Sequence, residues 1–134
     1  MKCFAMPSAK LGLGIRYESI RRLMEVLPAA HAADIVFTGR GFDGQEALRL
    51  GFVNRSVSDE DLDDIVNQYL EWLGQAAPLT VKAAKAAMRA WSAGEADDAI
   101  AAVRDMTDRC FASADYQEGR KAFAEKRKPQ FRGA

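Results

Sequence analysis

With 134 residues, 49% of them hydrophobic and 28% charged, the chain has the length and balance of one compact globular domain, not of a disordered or fibrous segment. Its 19 basic residues offset 19 acidic ones, so no overall field draws it to nucleic acid or to an anionic membrane. No apolar run approaches the roughly 20 residues of a membrane helix, and MKCFAMPSAK lacks the apolar centre of a secretory signal, so a cytoplasmic protein is expected.

The first segment, MKCFAMPSAKLGL, offers one short strand around Cys3 to Ala5, cut by Pro7 and followed by a loop with Gly12 and Gly14. Ser19 is placed to cap a helix in which Ile20, Leu23, Met24 and Leu27 follow the i, i+3, i+4, i+7 spacing of one apolar face, and Pro28 marks its end. A second helix is predicted through AAHAADIVF to Thr38, left through Gly39 and Gly41, and a third, short one over GQEALRLG to Gly51. Phe52, Val53 and Val57 read as a weak strand or extended connection.

Ser58 with Asp61 three residues on resembles a capping box, and the acids from Asp59 to Asp64 suit the positive end of a helix dipole. The stripe Leu62, Ile65, Val66, Tyr69, Leu70, Leu73 then predicts an amphipathic helix closed by Gly74. Pro78 suits the first turn of the next helix, whose face of Leu79, Ala83, Ala84, Ala87, Met88 and Trp91 is rich in small residues that permit close approach. After Gly94, Ala99, Val103, Met106 and Cys110 form a helix-packing seam. Ser113 is placed to cap a last helix, ADYQEGRKAFAEKRK, ended by Pro129. The fold class expected is mainly α with at most two short strands.

Cys3 and Cys110 are far apart, no C-x-x-C pair exists and His31 is the only histidine, so neither a disulfide framework nor a metal site is expected. Two buried, reduced thiols are the simplest reading, and His31, in PAAHAAD, reads as an ordinary helical residue. Lys85 reads as a solvated helix residue, since nothing near it in sequence is arranged to depress its pKa.

Four ordered blocks carry a family resemblance. FAMPSAKLGL (Phe4 to Leu13) resembles the strand and loop that follow the oxyanion-hole region of the enoyl-CoA hydratase/isomerase (crotonase) family. FTGRGFDGQEALRLGFV (Phe37 to Val53) resembles its "tGr.f.a.eA...GlV" signature, APLTVKAAKAA (Ala77 to Ala87) its "aPla...aK" helix, and SADYQEGRKAFAEKRKPQF (Ser113 to Phe131) its closing "s.d..EG..AF.eKR.p.F" element. The resemblance implies the C-terminal helical part of the crotonase α/β spiral fold. On that reading residues 1–134 are a single domain, with 1–57 the end of the spiral core and its connecting helices and 58–134 the helical trimerisation region.

The resemblance also implies an acyl-CoA enzyme, a hydratase (lyase) or isomerase of fatty-acid type metabolism, with much of its machinery in a half that these residues do not contain. The family's oxyanion hole, worth roughly 3 to 4 kcal/mol per donor in comparable sites, belongs to that other half. Ser8 stands where family hydratases place their second catalytic glutamate, and a hydroxyl of ordinary pKa cannot replace a tuned carboxylate. The family's Gly-rich turn is replaced by IRYES at Ile15 to Ser19, and Glu18 in this loop is the candidate substitute, with helix N-terminal charge as the alternative. From Arg120 to Arg132 six basic residues face the single acid Glu125, a local net charge of plus five. The resemblance places Phe123 and Lys126 at the adenosine end of coenzyme A, often that of a neighbouring subunit; the alternative is that the cations complement a helix dipole.

No cofactor beyond a coenzyme A thioester ligand is implied. The partners implied are an acyl-CoA ligand and a second copy of the chain or a partner crotonase chain. The alternative function is a non-catalytic oligomerisation or regulatory module pairing with a complete or N-terminal crotonase chain.

Overall fold

The computed structural model describes residues 4–134. In chain order it contains β1 (Phe4–Ala5), a 3-10 turn (Pro7–Leu11), α1 (Tyr17–Val26), α2 (Ala29–Thr38), β2 (Gly41–Phe42), α3 (Gly44–Arg49), α4 (Leu62–Gly74), α5 (Pro78–Ala93), α6 (Asp97–Ala112) and α7 (Ala114–Ala124). The mainly helical fold with two short strands is therefore as the sequence predicts. The chain divides into two compact units, Met1–Leu62 and Asp63–Ala134.

In the first unit the apolar face of α1 buries Leu23 and Leu27 with Ala32, Ile35 and Val36 of α2, Phe42 and Ala47. Met24, assigned to the same face, is exposed instead. A ring cluster extends this core: Phe42 stacks on Phe4 at 5.5 Å, and Phe52 meets both edge-on.

Several details depart from the sequence reading. Cys3 lies outside the described residues. The loop after Pro7 is a 3-10 turn closed by Gly12 at φ 65°, because Pro7 starts a helical turn readily and the glycine leaves it through the left-handed region. The cap of α1 is Arg16, with no side-chain hydrogen bond, and Ser19 lies inside the first turn. No strand forms at Phe52 and Val53. The strand partner is Gly41–Phe42, antiparallel to β1 with Phe4 opposite Phe42, and the Phe52 and Val53 amides close α3 by donating to the Ala47 carbonyl.

In the second unit α5 and α6 form a hairpin across a three-residue connection, and α7 packs on α6. Pro78 does begin α5, and Gly94 ends it at φ 98°. Ala99, Val103, Met106 and Cys110 of the α6 seam are half-buried, so the free Cys110 thiol is only partly covered. The side chains buried here are small or polar: Ala83, Ala90, Ala122, Ser113 and Asp115. Ser58 accepts the Asp61 amide at 3.1 Å as a cap would, yet α4 begins only at Leu62 and buries none of its residues. Among the described residues no helix is long and apolar enough to cross a membrane, and no cluster of His, Cys, Asp or Glu is arranged to hold a metal ion.

Candidate functional site

The basic tail owes its shape to α7. Ser113 caps this helix, accepting the Tyr116 amide at 3.0 Å while its hydroxyl donates to the Cys110 carbonyl at 2.6 Å. The helix stops at Ala124, well before Pro129, so the segment Glu125 to Lys128, which the sequence assigns to the helix, is not helical: Glu125 and Lys126 form a turn and the chain then leaves it. Lys126 takes φ 55°, and the Arg127 amide reaches back to the Ala122 carbonyl at 3.0 Å, closing a Schellman motif with a lysine where glycine is usual. A left-handed non-glycine backbone costs about 1 kcal/mol.

Beyond that turn the chain folds back along α7. The buried Asp115 carboxylate accepts the Arg132 and Gly133 amides at 2.7 and 2.8 Å, and the Asp115 amide donates to the Ala134 carbonyl at 3.1 Å. One turn further on, Glu118 receives both terminal nitrogens of Arg127 and the Gln130 amide, the last at 2.9 Å. These donors hold the Glu118 carboxyl down at about 2, the Arg127 guanidinium being the larger cause, and the carboxylates of Glu118 and Glu125 hold Arg127 above its ordinary value. Phe131 then lies over Gly119.

This fold-back walls an apolar groove of about 590 Å³ lined by Leu79, Ala83 and Ala87 of α5, Val103 of α6, Phe123 and Phe131. Its volume falls in the range of small-molecule sites. Phe123 stands at the groove 87% exposed, an unusual setting for so large an apolar ring. Lys126 is exposed and forms no ion pair among the described residues. The local net charge of the tail is thus unevenly available: Arg127 is engaged by two carboxylates, and Lys126 is not.

In the first unit the segment Thr38-Gly39-Arg40 fixes the 3-10 turn that carries Ser8. The Thr38 hydroxyl donates to the Asp34 carbonyl at 2.6 Å and accepts the Arg40 amide at 3.2 Å. Gly39, at φ 54°, is buried so closely under the turn that a Cβ there would sit 3.3 Å from the Pro7 Cα. Arg40 forks between Asp34 at 2.6 Å and Glu46 at 2.7 Å, tying the end of α2 to the start of α3. That pairing raises Arg40 above its ordinary value and lowers Glu46, each the other's largest influence.

Ser8 itself is half-buried, and its carbonyl accepts the Gly12 amide and, at 3.0 Å, the Leu13 amide. Glu18 is not in a loop: it is the second residue of α1, exposed, in the turn where a carboxylate complements the helix dipole. No hydrogen bond joins it to Ser8 among the described residues. Lys85 and His31 are exposed helical residues.

The profile of the enoyl-CoA hydratase/isomerase family matches residues 2–134. The chain belongs to the enoyl-CoA hydratase/isomerase family. It is 39% identical to the carnitinyl-CoA dehydratase of Salmonella arizonae over 97% of its own length and 51% of that protein's, and 37% identical to the one of Citrobacter koseri over the same shares. Among solved structures it superposes on an enoyl-CoA hydratase/isomerase family protein from Hyphomonas neptunium with TM-score 0.85 and 28% identity, covering 98% of this chain and 50% of that one. The enoyl-CoA hydratase of Mycobacterium tuberculosis gives 0.84 and 29%, covering 99% and 53%. The chain therefore spans about half the length of the curated relatives it matches.

Within the family two of the three quoted signatures now have physical content. The "tGr" element is the packing of Gly39 beneath the Ser8 turn together with the Arg40 fork. The closing "s.d..EG" element is a helix cap, two carboxylates that gather the tail, and a glycine under Phe131. Sequence reasoning missed Asp115 and Glu118; the quoted motif contained both, but the partners of Asp115 are backbone amides, which leave no mark in a sequence, and the Arg127 partner of Glu118 lies nine residues on, beyond the end of the helix.

Proposed function

We propose that these residues are the C-terminal half of an acyl-CoA hydratase or isomerase, that they retain a contact to coenzyme A through Phe123 and Lys126, and that alone they turn over no thioester. The observation that carries this reading is the family match along residues 2–134 by a chain that spans about half of its relatives. The relatives' names, carnitinyl-CoA dehydratase and enoyl-CoA hydratase, both specify a coenzyme A thioester, which supports an acyl-CoA ligand.

Adding or removing water across an enoyl thioester needs donors for the enolate oxygen and a carboxylate to move the proton. The family's donors are expected in the other half, and the one glutamate position within these residues holds Ser8. The exposed Phe123 ring offers a stacking face, and the unpaired Lys126 ammonium offers charge for an anionic group. The reading carries with it a cytoplasmic location and assembly with a second copy or with the complementary half-chain.

A steady-state assay with crotonyl-CoA tests it on the wild type, on Ser8→Glu, and on each mixed with the complementary half. No turnover is expected from either lone chain; once the other half is supplied, activity is expected from Ser8→Glu and far less from the wild type. Wild-type turnover that scales with protein concentration and survives repurification overturns the reading.

A second reading, a non-catalytic oligomerisation module, is favoured by one observation. Met88 and Trp91 of α5 are 69% and 60% exposed, as is most of the α4 stripe. Light scattering at micromolar concentration separates the two: assembly without any coenzyme A binding supports the module alone.

A further inference from the structure

We propose that Glu118 is a positioning residue: acting through Arg127, it holds Lys126 in its left-handed backbone and so presents the lysine ammonium to an anionic group of a coenzyme A ligand. The proposal rests on the coenzyme A reading above and adds to it a residue that touches no ligand.

A left-handed lysine persists only where its surroundings over-determine it. Here the Lys126 amide donates to the Phe123 carbonyl at 3.2 Å and the Arg127 amide to the Ala122 carbonyl at 3.0 Å. Those two bonds would form equally well around a glycine. What is particular to this turn is the side chain on its far side. Arg127 is gripped by Glu118, with Nη2 2.9 Å from Oε2, and by Glu125, with Nε 2.6 Å from Oε2. Oε1 of the same Glu118 also accepts the Gln130 amide at 2.9 Å. One carboxylate on α7 thus gathers residues 127 and 130, and the turn preceding them cannot unwind into a further helical turn without breaking three bonds.

The same pairing sorts the charges. Both nearby acids are engaged with Arg127, so the neighbouring Lys126 is left without an ion pair among the described residues. Had either acid faced Lys126, the cation would be neutralised before any ligand arrived. The exposed Phe123 ring belongs to the residue whose carbonyl accepts the Lys126 amide.

The test is calorimetric titration with coenzyme A of the wild type, Glu118→Gln, Lys126→Ala and the double variant, with backbone chemical shifts of residue 126 recorded in parallel. Each single substitution is expected to weaken binding roughly tenfold, as for a lost charge-assisted contact. The double variant is expected to bind no more weakly than Lys126→Ala, because a positioning residue has nothing left to position. The Lys126 shifts are expected to move in Glu118→Gln while those of α5 and α6 stay. Should Glu118→Gln fail to fold, Arg127→Lys keeps the charge, loses the fork and is expected to give the same pattern.

Additive losses, or binding by Glu118→Gln as tight as wild type, overturn the positioning role while leaving the coenzyme A reading intact. No binding by the wild type overturns both.

Discussion

The two units solve the burial problem differently. The first places large side chains inside: Leu27, Ile35 and Phe42 are covered, and three phenylalanine rings extend the cluster. The second buries alanines and two polar residues while Leu70, Met88, Trp91 and Phe123 face solvent. A methyl group contributes far less on burial than a branched or aromatic side chain. The second unit is therefore held by helix pairing, caps and carboxylate-to-amide bonds to a degree the first is not, and its large apolar side chains face solvent.

The sharpest way to break this contrast is Ile35→Ala. Ile35 is 1% exposed, and its truncation is expected to cost about 3 to 4 kcal/mol, read as early loss of the first unit in urea or heat. A loss below about 1 kcal/mol would mean that the first core is no better packed than the second.

Asp115→Ala comes next. It removes a carboxylate 4% exposed that satisfies two backbone amides, and about 2 kcal/mol is expected, concentrated in the tail. Hydrogen exchange at Arg132 and Gly133 should accelerate while α2 stays protected. Uniform loss over both units would refute the assignment of this bond to the second alone.

Acid should weaken the tail of the second unit through Glu118. Its carboxyl ionises at about 2 when folded against an ordinary 4.5, so it stabilises fully above pH 4.5 and loses that contribution as pH falls toward 2. The protection factor of the Gln130 amide against hydrogen exchange is expected to fall across that window in the wild type and not in Glu118→Gln.

Smallest for the lone chain is the pair Leu70→Ser and Trp91→Ser, expected to change monomer stability by less than about 0.5 kcal/mol since both side chains are exposed. Their effect should fall instead on assembly measured by sedimentation. A large loss of monomer stability would show that these side chains are already covered.

The helices were legible where a capping residue, a glycine or a proline marked an end: α2 with Gly39, α5 with Pro78, and the start of α7 at Ser113. Three features were not. A two-residue strand such as Gly41–Phe42 has no period to detect, and its partner Phe4 lies far off in sequence. The end of α7 carried no glycine, since Lys126 takes the left-handed position itself. Of the candidate site, Phe123, Lys126 and the serine at position 8 were reached only through family resemblance, and the hold of Asp115 on the tail is made with backbone amides that almost any residue could supply, while that of Glu118 runs to Arg127 across a turn no pattern announces.

The left-handed lysine also sets two kinds of selection against each other. Glycine at position 126 would relieve about 1 kcal/mol of backbone strain and remove the ammonium in the same step. A library varied at this codon and sorted for resistance to heat should fill with glycine, whereas one sorted for retention on immobilised coenzyme A should return lysine. The preference at this single codon would then report which trait a population has been kept for.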